Sequence, residues 1–265
     1  MKTRASLPII VLVMAGMIVS VLSPAVAEEI PLNKLYKSLA DKNHYPVAED
    51  LTSAQADVKC NIFDQVLAAF PDAAAKPVTV KFFWARPSPQ AAPQQKFAAV
   101  GMPDGVADLA KRFDLVFQPV TEFVIPSPIY WTFDQTAAKA TSEGGKITVA
   151  GDAKSPQGPI KKLTAEIDAT SYQVSKMQLD LGQAQIGFEM TGKDLGGKLG
   201  IETETITYPQ FKRVLKFEYA QVDKYWLPSK LTLDNLGTDG KQLEPTYVFE
   251  FSNWQVNKGV PDGTF

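Results

Sequence analysis

The sequence predicts a mainly β fold with α elements (α+β): one strongly curved antiparallel sheet with two or so helices against its apolar face. Three observations predict it. From Lys146 onward, seven or eight short segments alternate apolar and polar residues, with turn residues between them. Ahead of these, two stretches repeat apolar residues at helical spacing instead. The strands also follow one another too closely to leave room for the crossover helices of a parallel sheet.

The elements are read in chain order. Lys2 and Arg4 precede an apolar run from Leu7 to Leu22, and Ala25-Val26-Ala27 has the small-x-small pattern of a signal-peptidase site. Residues 1–27 are therefore expected to be a cleaved signal peptide, with export across the inner membrane. A single domain is expected from Glu28 to Phe265. Leu32, Leu35, Tyr36 and Leu39 share one helical stripe between Pro31 and the turn at Tyr45-Pro46. The stretch from Val58 to Ala69 reads equally as a strand or a helix. Val78 to Trp84 is a strand, stopped by Arg86-Pro87-Ser88-Pro89, and a Pro/Gln/Ala loop is expected to run on to Gln95. Val106, Leu109, Ala110 and Phe113 mark a second amphipathic helix, and the Pro-broken segment Leu115 to Phe133 is left open.

In the β-rich half, Leu163, Ala165 and Ile167 alternate with Lys162, Thr164 and Glu166. Met177, Leu179 and Leu181 do the same, as do Ile186, Phe188 and Met190. Leu215, Phe217 and Tyr219 stand opposite Lys216 and Glu218, and Tyr247, Phe249 and Phe251 close the series. Gly192-Lys193-Asp194, Gly196-Gly197 and Asp239-Gly240 lie between the strands as turns. One apolar and one polar face throughout is the pattern of an antiparallel meander with one side covered.

Composition narrows the function. With 27 basic and 29 acidic residues, the chain lacks the positive field that nucleic-acid binding needs. One Cys (Cys60) and one His (His44) exclude an intrachain disulfide and any metal site rich in these ligands. No nucleophile elbow or phosphate-cradling loop is present, so no catalytic residue, metal or cofactor is expected. Glu166 and Asp168 share a face, as do Glu202 and Glu204; with Thr and Lys interleaved, both pairs read as a solvated polar face. His44 reads as an exposed turn residue and Cys60 as a small buried apolar one.

Several segments then occur in a telling order. Ile167-Asp168-Ala169-Thr170-Ser171-Tyr172 precedes Lys176-Met177-Gln178-Leu179-Asp180. Val222-Asp223-Lys224-Tyr225-Trp226-Leu227-Pro228-Ser229-Lys230 comes next, then Phe251 to Asn257 and the ending Asn257 to Phe265. With Phe82-Phe83-Trp84-Ala85-Arg86-Pro87 upstream, this order resembles the outer-membrane lipoprotein-sorting proteins, the LolA/LolB-like superfamily. The resemblance spans roughly residues 55 to 265 and is strongest after Lys161.

The resemblance implies an unclosed half-barrel covered by helices. It implies a soluble periplasmic carrier that hides the acyl chains of a lipid or lipoprotein in an apolar cavity beneath a helical lid. An inner-membrane transporter as donor and an outer-membrane acceptor would be its partners, and a monomer is expected. The sorting carrier's C-terminal extension is not expected after Phe265, which tells against lipoprotein as the cargo and leaves lipid carriage. The candidate cavity residues are Phe83, Leu215, Phe217, Tyr219, Trp226, Tyr247, Phe249 and Phe251, each of which has core packing as its plainer role. Arg86 matches the arginine with which the family's carrier hydrogen-bonds its lid. The alternative reading is a periplasmic interaction or sensing module of the same fold, like the regulators that bind an anti-sigma factor, without lipid transfer.

Overall fold

Thirteen strands form one antiparallel sheet in a computed structural model that describes residues 27–70, 78–88, 91–102 and 107–265. The expected signal segment lies outside the described residues, apart from Ala27. The strands are β1 (Glu28–Ile30), β2 (Ser53–Cys60), β3 (Thr79–Ala85), β4 (Gln94–Val100), β5 (Lys139–Glu143), β6 (Lys146–Asp152) and β7 (Lys162–Asp168). They continue as β8 (Val174–Asp180), β9 (Gln185–Asp194), β10 (Leu199–Thr207), β11 (Phe211–Val222), β12 (Tyr225–Gly237) and β13 (Tyr247–Val256). Their order is β1-β5-β6-β7-β8-β9-β10-β11-β12-β13-β2-β3-β4. The sheet is thus a meander from β5 to β13, extended by β2–β4 beyond β13 and by β1 beside β5. It does not close: β1 and β4 are its edges.

The alternating segments after Lys146 all form strands, because each can bury one face and solvate the other. Three further strands carry weaker patterns. Lys139–Glu143 and Glu28–Ile30 are short and polar and become strands by pairing with β6 and with each other. The expected loop up to Gln95 ends sooner, since Gln94–Val100 pairs along the whole of β3. The ambiguous stretch is both things in turn, a strand up to Cys60 and a helix from Asn61.

The helices are α1 (Leu32–Lys42), α2 (Asn61–Ala68), α3 (Ala107–Phe117) and two single-turn pieces, α4 (Thr121–Val124) and α5 (Tyr130–Phe133). The open segment Leu115 to Phe133 therefore breaks into the end of α3, a 3-10 turn and these two pieces. Pro119, Pro126 and Pro128 account for the breaks, since proline lacks the N–H a continuing helix needs.

The interior holds two apolar clusters. The larger lies under β2–β4 and β10–β13 and includes Phe63 of α2 and Leu109, Phe113 and Phe117 of α3. The smaller lies under β5–β8 and includes Leu35 and Leu39 of α1 and Phe133 of α5. Cys60 is a free, buried member of the larger cluster.

Candidate functional site

A cavity of about 770 Å³ is bordered by members of both clusters. Specific small-molecule sites commonly measure about 300–1,000 Å³. Its sheet wall is built by Val174 and Met177 of β8, Met190 of β9, Ile201 and Glu204 of β10, Tyr219 of β11 and Trp226 of β12. The opposite wall is the broken segment carrying α4 and α5, through Phe123, Val124, Ile129 and Trp131, together with Tyr45, Arg86 and Gln95.

Two irregularities in the sheet aim these side chains. Between Ile201 and Thr203 the β9–β10 register shifts, leaving Glu202 as an extra, unpaired residue. A bulge of this kind reverses the facing of the residues beyond it, so Ile201 and Glu204 both line the cavity while Glu202 is exposed. The β11–β12 register shifts in the same way: Glu218 pairs Lys230, but Tyr219 pairs Pro228. Tyr219, Pro228 and Trp226 then share the cavity.

The covering segment is held at both ends. Val124 and Ile125 are buried in the larger cluster and Phe133 in the smaller, so the piece between them spans the seam. Tyr130 stacks on Tyr36 of α1 at 5.4 Å and meets Tyr45 edge-on at 5.9 Å. From the other side, the Arg86 guanidinium lies over the Trp131 ring at 5.0 Å, and its Nε donates to the Ala91 carbonyl at 3.2 Å. Burial raises the pKa of both Tyr45 and Tyr130 above the usual phenol range.

Polar side chains also border the cavity. His44 is buried, and its Nε2–H donates to the Trp226 carbonyl at 2.6 Å while Nδ1 lies 3.3 Å from Glu49 Oε1. Glu49 also accepts from Lys198 Nζ at 2.6 Å. These bonds and His44 N–H to Leu199 O pin the chain after α1 onto β10 and β12. The expected exposed turn histidine is therefore a structural tether, since a ring nitrogen can satisfy a carbonyl that the curved sheet leaves unpaired.

Glu204 overturns its expected place on a solvated face. It is only 8% exposed, and burial pushes its carboxyl up to about 7. Nearby, the Tyr219 hydroxyl donates to the Ile201 carbonyl at 2.9 Å; burial first, then the Glu204 charge, raises its pKa above the usual range.

The residues singled out from the sequence divide into two sets. Tyr219, Trp226 and Arg86 line the cavity. Leu215, Phe217, Phe249 and Phe251 are buried in the larger cluster, with Tyr247 packed against it, and none of them borders the cavity. Phe97, Phe117 and Phe249 fill the space there with ring centroids 4.9 to 6.4 Å apart. Phe83 alternates with the core residues Phe82 and Trp84 and pairs Lys96, whose ammonium lies 5.9 Å from the Phe265 ring centroid, so it too is away from the cavity. Glu204, His44 and Met190 were missed as cavity residues. The signal for Glu204 was present only as the Glu-Thr-Glu-Thr run from Glu202 to Thr205, whose facing depends on the bulge.

No protein-family model and no curated protein sequence matches the chain. Solved structures do. The chain is similar to a domain described as an outer membrane lipoprotein-sorting protein domain from Vibrio parahaemolyticus, 9% identical, covering 86% of this chain and 93% of that one at a TM-score of 0.33. It is similar to a DUF1329 family protein from Desulfovibrio piger, 9% identical over 88% of this chain and 95% of that one, with a TM-score of 0.35. A LolA superfamily protein from Nitrosomonas europaea is also 9% identical, over 88% and 96%, with a TM-score of 0.30. Among the described residues no helix is long and apolar enough to cross a membrane, and no group of His, Cys, Asp and Glu is placed to hold a metal ion.

Proposed function

We propose that this protein is a non-enzymatic periplasmic carrier that buries acyl chains of a lipid or lipoprotein between its sheet and the covering segment, and passes them toward the outer membrane. The cavity carries this reading: about 770 Å³ walled by Val174, Met177, Met190, Ile201 and Trp226. The signal-like N-terminus and the order of segments shared with lipoprotein-sorting proteins support the compartment and the direction of transfer.

The mechanism is reversible burial. Each CH₂ taken from water contributes about 0.8 kcal/mol, so one chain gains on the order of 10 kcal/mol before ordering costs. Release at that affinity needs the cover to open or an acceptor with a better site. The Arg86–Trp131 contact joins the end of β3 to that cover while the Arg86–Ala91 bond fixes the guanidinium within the β3–β4 connection, which makes Arg86 its latch. A cation–π contact of about 0.5–2 kcal/mol is weak enough to yield when cargo passes.

Saturable binding of a dansyl-labelled fatty acid, with lipid identified by mass spectrometry in protein purified from membrane fractions, tests the proposal. A chain that binds no such probe and copurifies with no lipid would act as an interaction module instead.

A further inference from the structure

We propose that the cavity selects amphiphiles whose polar end donates hydrogen bonds, a hydroxyl or an ammonium group, and that the Glu204 carboxyl is the residue that receives this end. The inference rests on the carrier reading and adds the class of cargo.

Glu204 lines the cavity at 8% exposure and makes no hydrogen bond or ion pair with any described residue. A buried carboxyl without a partner is costly, and sheet positions facing an apolar space ordinarily carry apolar side chains. Glu204 is flanked on β10 by Ile206, which follows that ordinary pattern. A second orphan lies in the same cavity wall. Gln95 Oε1 and Trp84 Nε1 are the buried side-chain polar atoms without a hydrogen-bond partner among the described residues, and Gln95 lines the cavity.

Three of the donors that border the cavity are already engaged. The Tyr219 hydroxyl proton goes to the Ile201 carbonyl and the His44 Nε2 proton to the Trp226 carbonyl. Arg86 donates to Ala91 at the end of β3. The hydroxyls of Ser127, Thr132 and Thr191 also border the cavity, but the buried lining groups left without a partner are acceptors: the Glu204 carboxylate and the Gln95 carbonyl. With Glu204 ionised, such a set is complemented by a donor, whereas a fatty-acid carboxylate or an ester would bring a further acceptor.

The titratable or charged groups that line this space with Glu204 are Tyr219 on β11, His44 and Tyr45 after α1, Arg86 at the end of β3 and Glu122 on α4. Burial holds the Glu204 carboxyl near 7, so it ionises as pH rises through neutrality. An ammonium ligand should bind more tightly as that happens and a neutral alcohol should not.

The test displaces dansyl-undecanoic acid from the mature protein with four ligands of one chain length: tetradecylamine, tetradecanol, methyl tetradecanoate and tetradecanoate. The expected result is that amine and alcohol bind about tenfold or more tighter than ester and carboxylate. Glu204→Gln, which keeps an acceptor but loses the charge, should lose the amine's rise in affinity with pH and keep the alcohol's preference. Glu204→Leu should level all four ligands, with thermal melting confirming that both variants fold. Equal binding of all four by the unmodified chain, or a preference for the carboxylate, overturns the inference and leaves the carrier standing. Failure of the dansyl probe and, by direct titration, of all four ligands to bind saturably overturns the carrier reading and the inference with it.

Discussion

The aromatic cluster beneath β13 and β2–β4 and the cavity bordered by β8–β11 lie on one continuous sheet, yet only the first is filled. The elements facing them differ. Opposite β13 and β4 stand α2 and α3, whose Phe63, Phe113 and Phe117 rings meet at 4.6 to 5.4 Å and reach down to Phe97 and Phe249. Across the cavity from β8–β11 stand the single turns α4 and α5, with a Pro-broken stretch of chain between them, and the irregular chain after α1. A helix of three turns presents a continuous stripe that interdigitates with a sheet. A four-residue helix cannot, so its apolar side chains anchor at the ends and leave the middle open. The sheet contributes as well: Gly192 and Gly200 take cavity-wall positions with no side chain to project, and a Cβ at Gly200 would come within 2.3 Å of Leu195 Cδ1.

The largest effect should come from truncating the filled region. Phe249→Ala removes a ring that is 0% exposed and should cost about 3–5 kcal/mol. Met190→Ala, on a wall that already borders open space, should cost about 1 kcal/mol or less because little packing is lost. Urea unfolding of the two variants measures the contrast directly, and equal losses would mean that the cavity is packed in solution.

Glu204→Gln sharpens the contrast through pH. The folded-state pKa of Glu204 is raised from 4.5 to about 7, so the native state favours the protonated form. Its full stability is present below the unfolded value and declines as pH rises through the folded one. The variant should therefore match the unmodified chain at about pH 4 and exceed it by on the order of 3 kcal/mol at about pH 8. Parallel melting curves at both pH values would show that water reaches the carboxyl freely.

His44→Ala should cost about 1–3 kcal/mol, since it leaves the Trp226 carbonyl without its donor in a buried setting. Chemical denaturation checks it, and Asn in place of His should restore part of the loss by supplying a donor. The smallest effect on stability belongs to Arg86→Leu, about 1 kcal/mol for loss of its bond to the Ala91 carbonyl and its cation–π contact with Trp131. Its consequence should appear in kinetics. If Arg86 latches the cover, the variant favours the open form, retains lipid longer and hands it on more slowly. Wild-type transfer to acceptor vesicles with unchanged dansyl-probe binding would leave Arg86 a structural contact only.

The fold was largely legible because its signals are local. Alternation along Leu163–Ile167 or Leu215–Tyr219 requires a half-buried strand whatever the neighbours are, and the stripe Leu32–Leu39 requires an apolar surface to dock on. Weakly patterned strands such as Gln94–Val100 were not legible, because pairing along β3, and not their own side chains, makes them strands. The cavity residues show the same division. Phe217 and Phe249 carried the apolar signal, and that signal is identical for a core residue and a cavity wall. Trp226 and Leu227 are adjacent, but Leu227 is 0% exposed in the cluster while Trp226 faces the cavity. What the sequence determined alone was the sheet, its meander and its apolar side. Only the tertiary structure decided where that side stays unfilled, because register shifts at Ile201/Thr203 and Glu218/Tyr219 turn Glu204, Pro228 and Trp226 inward. Such a shift is a property of two paired strands, and neither strand records it in its own residues.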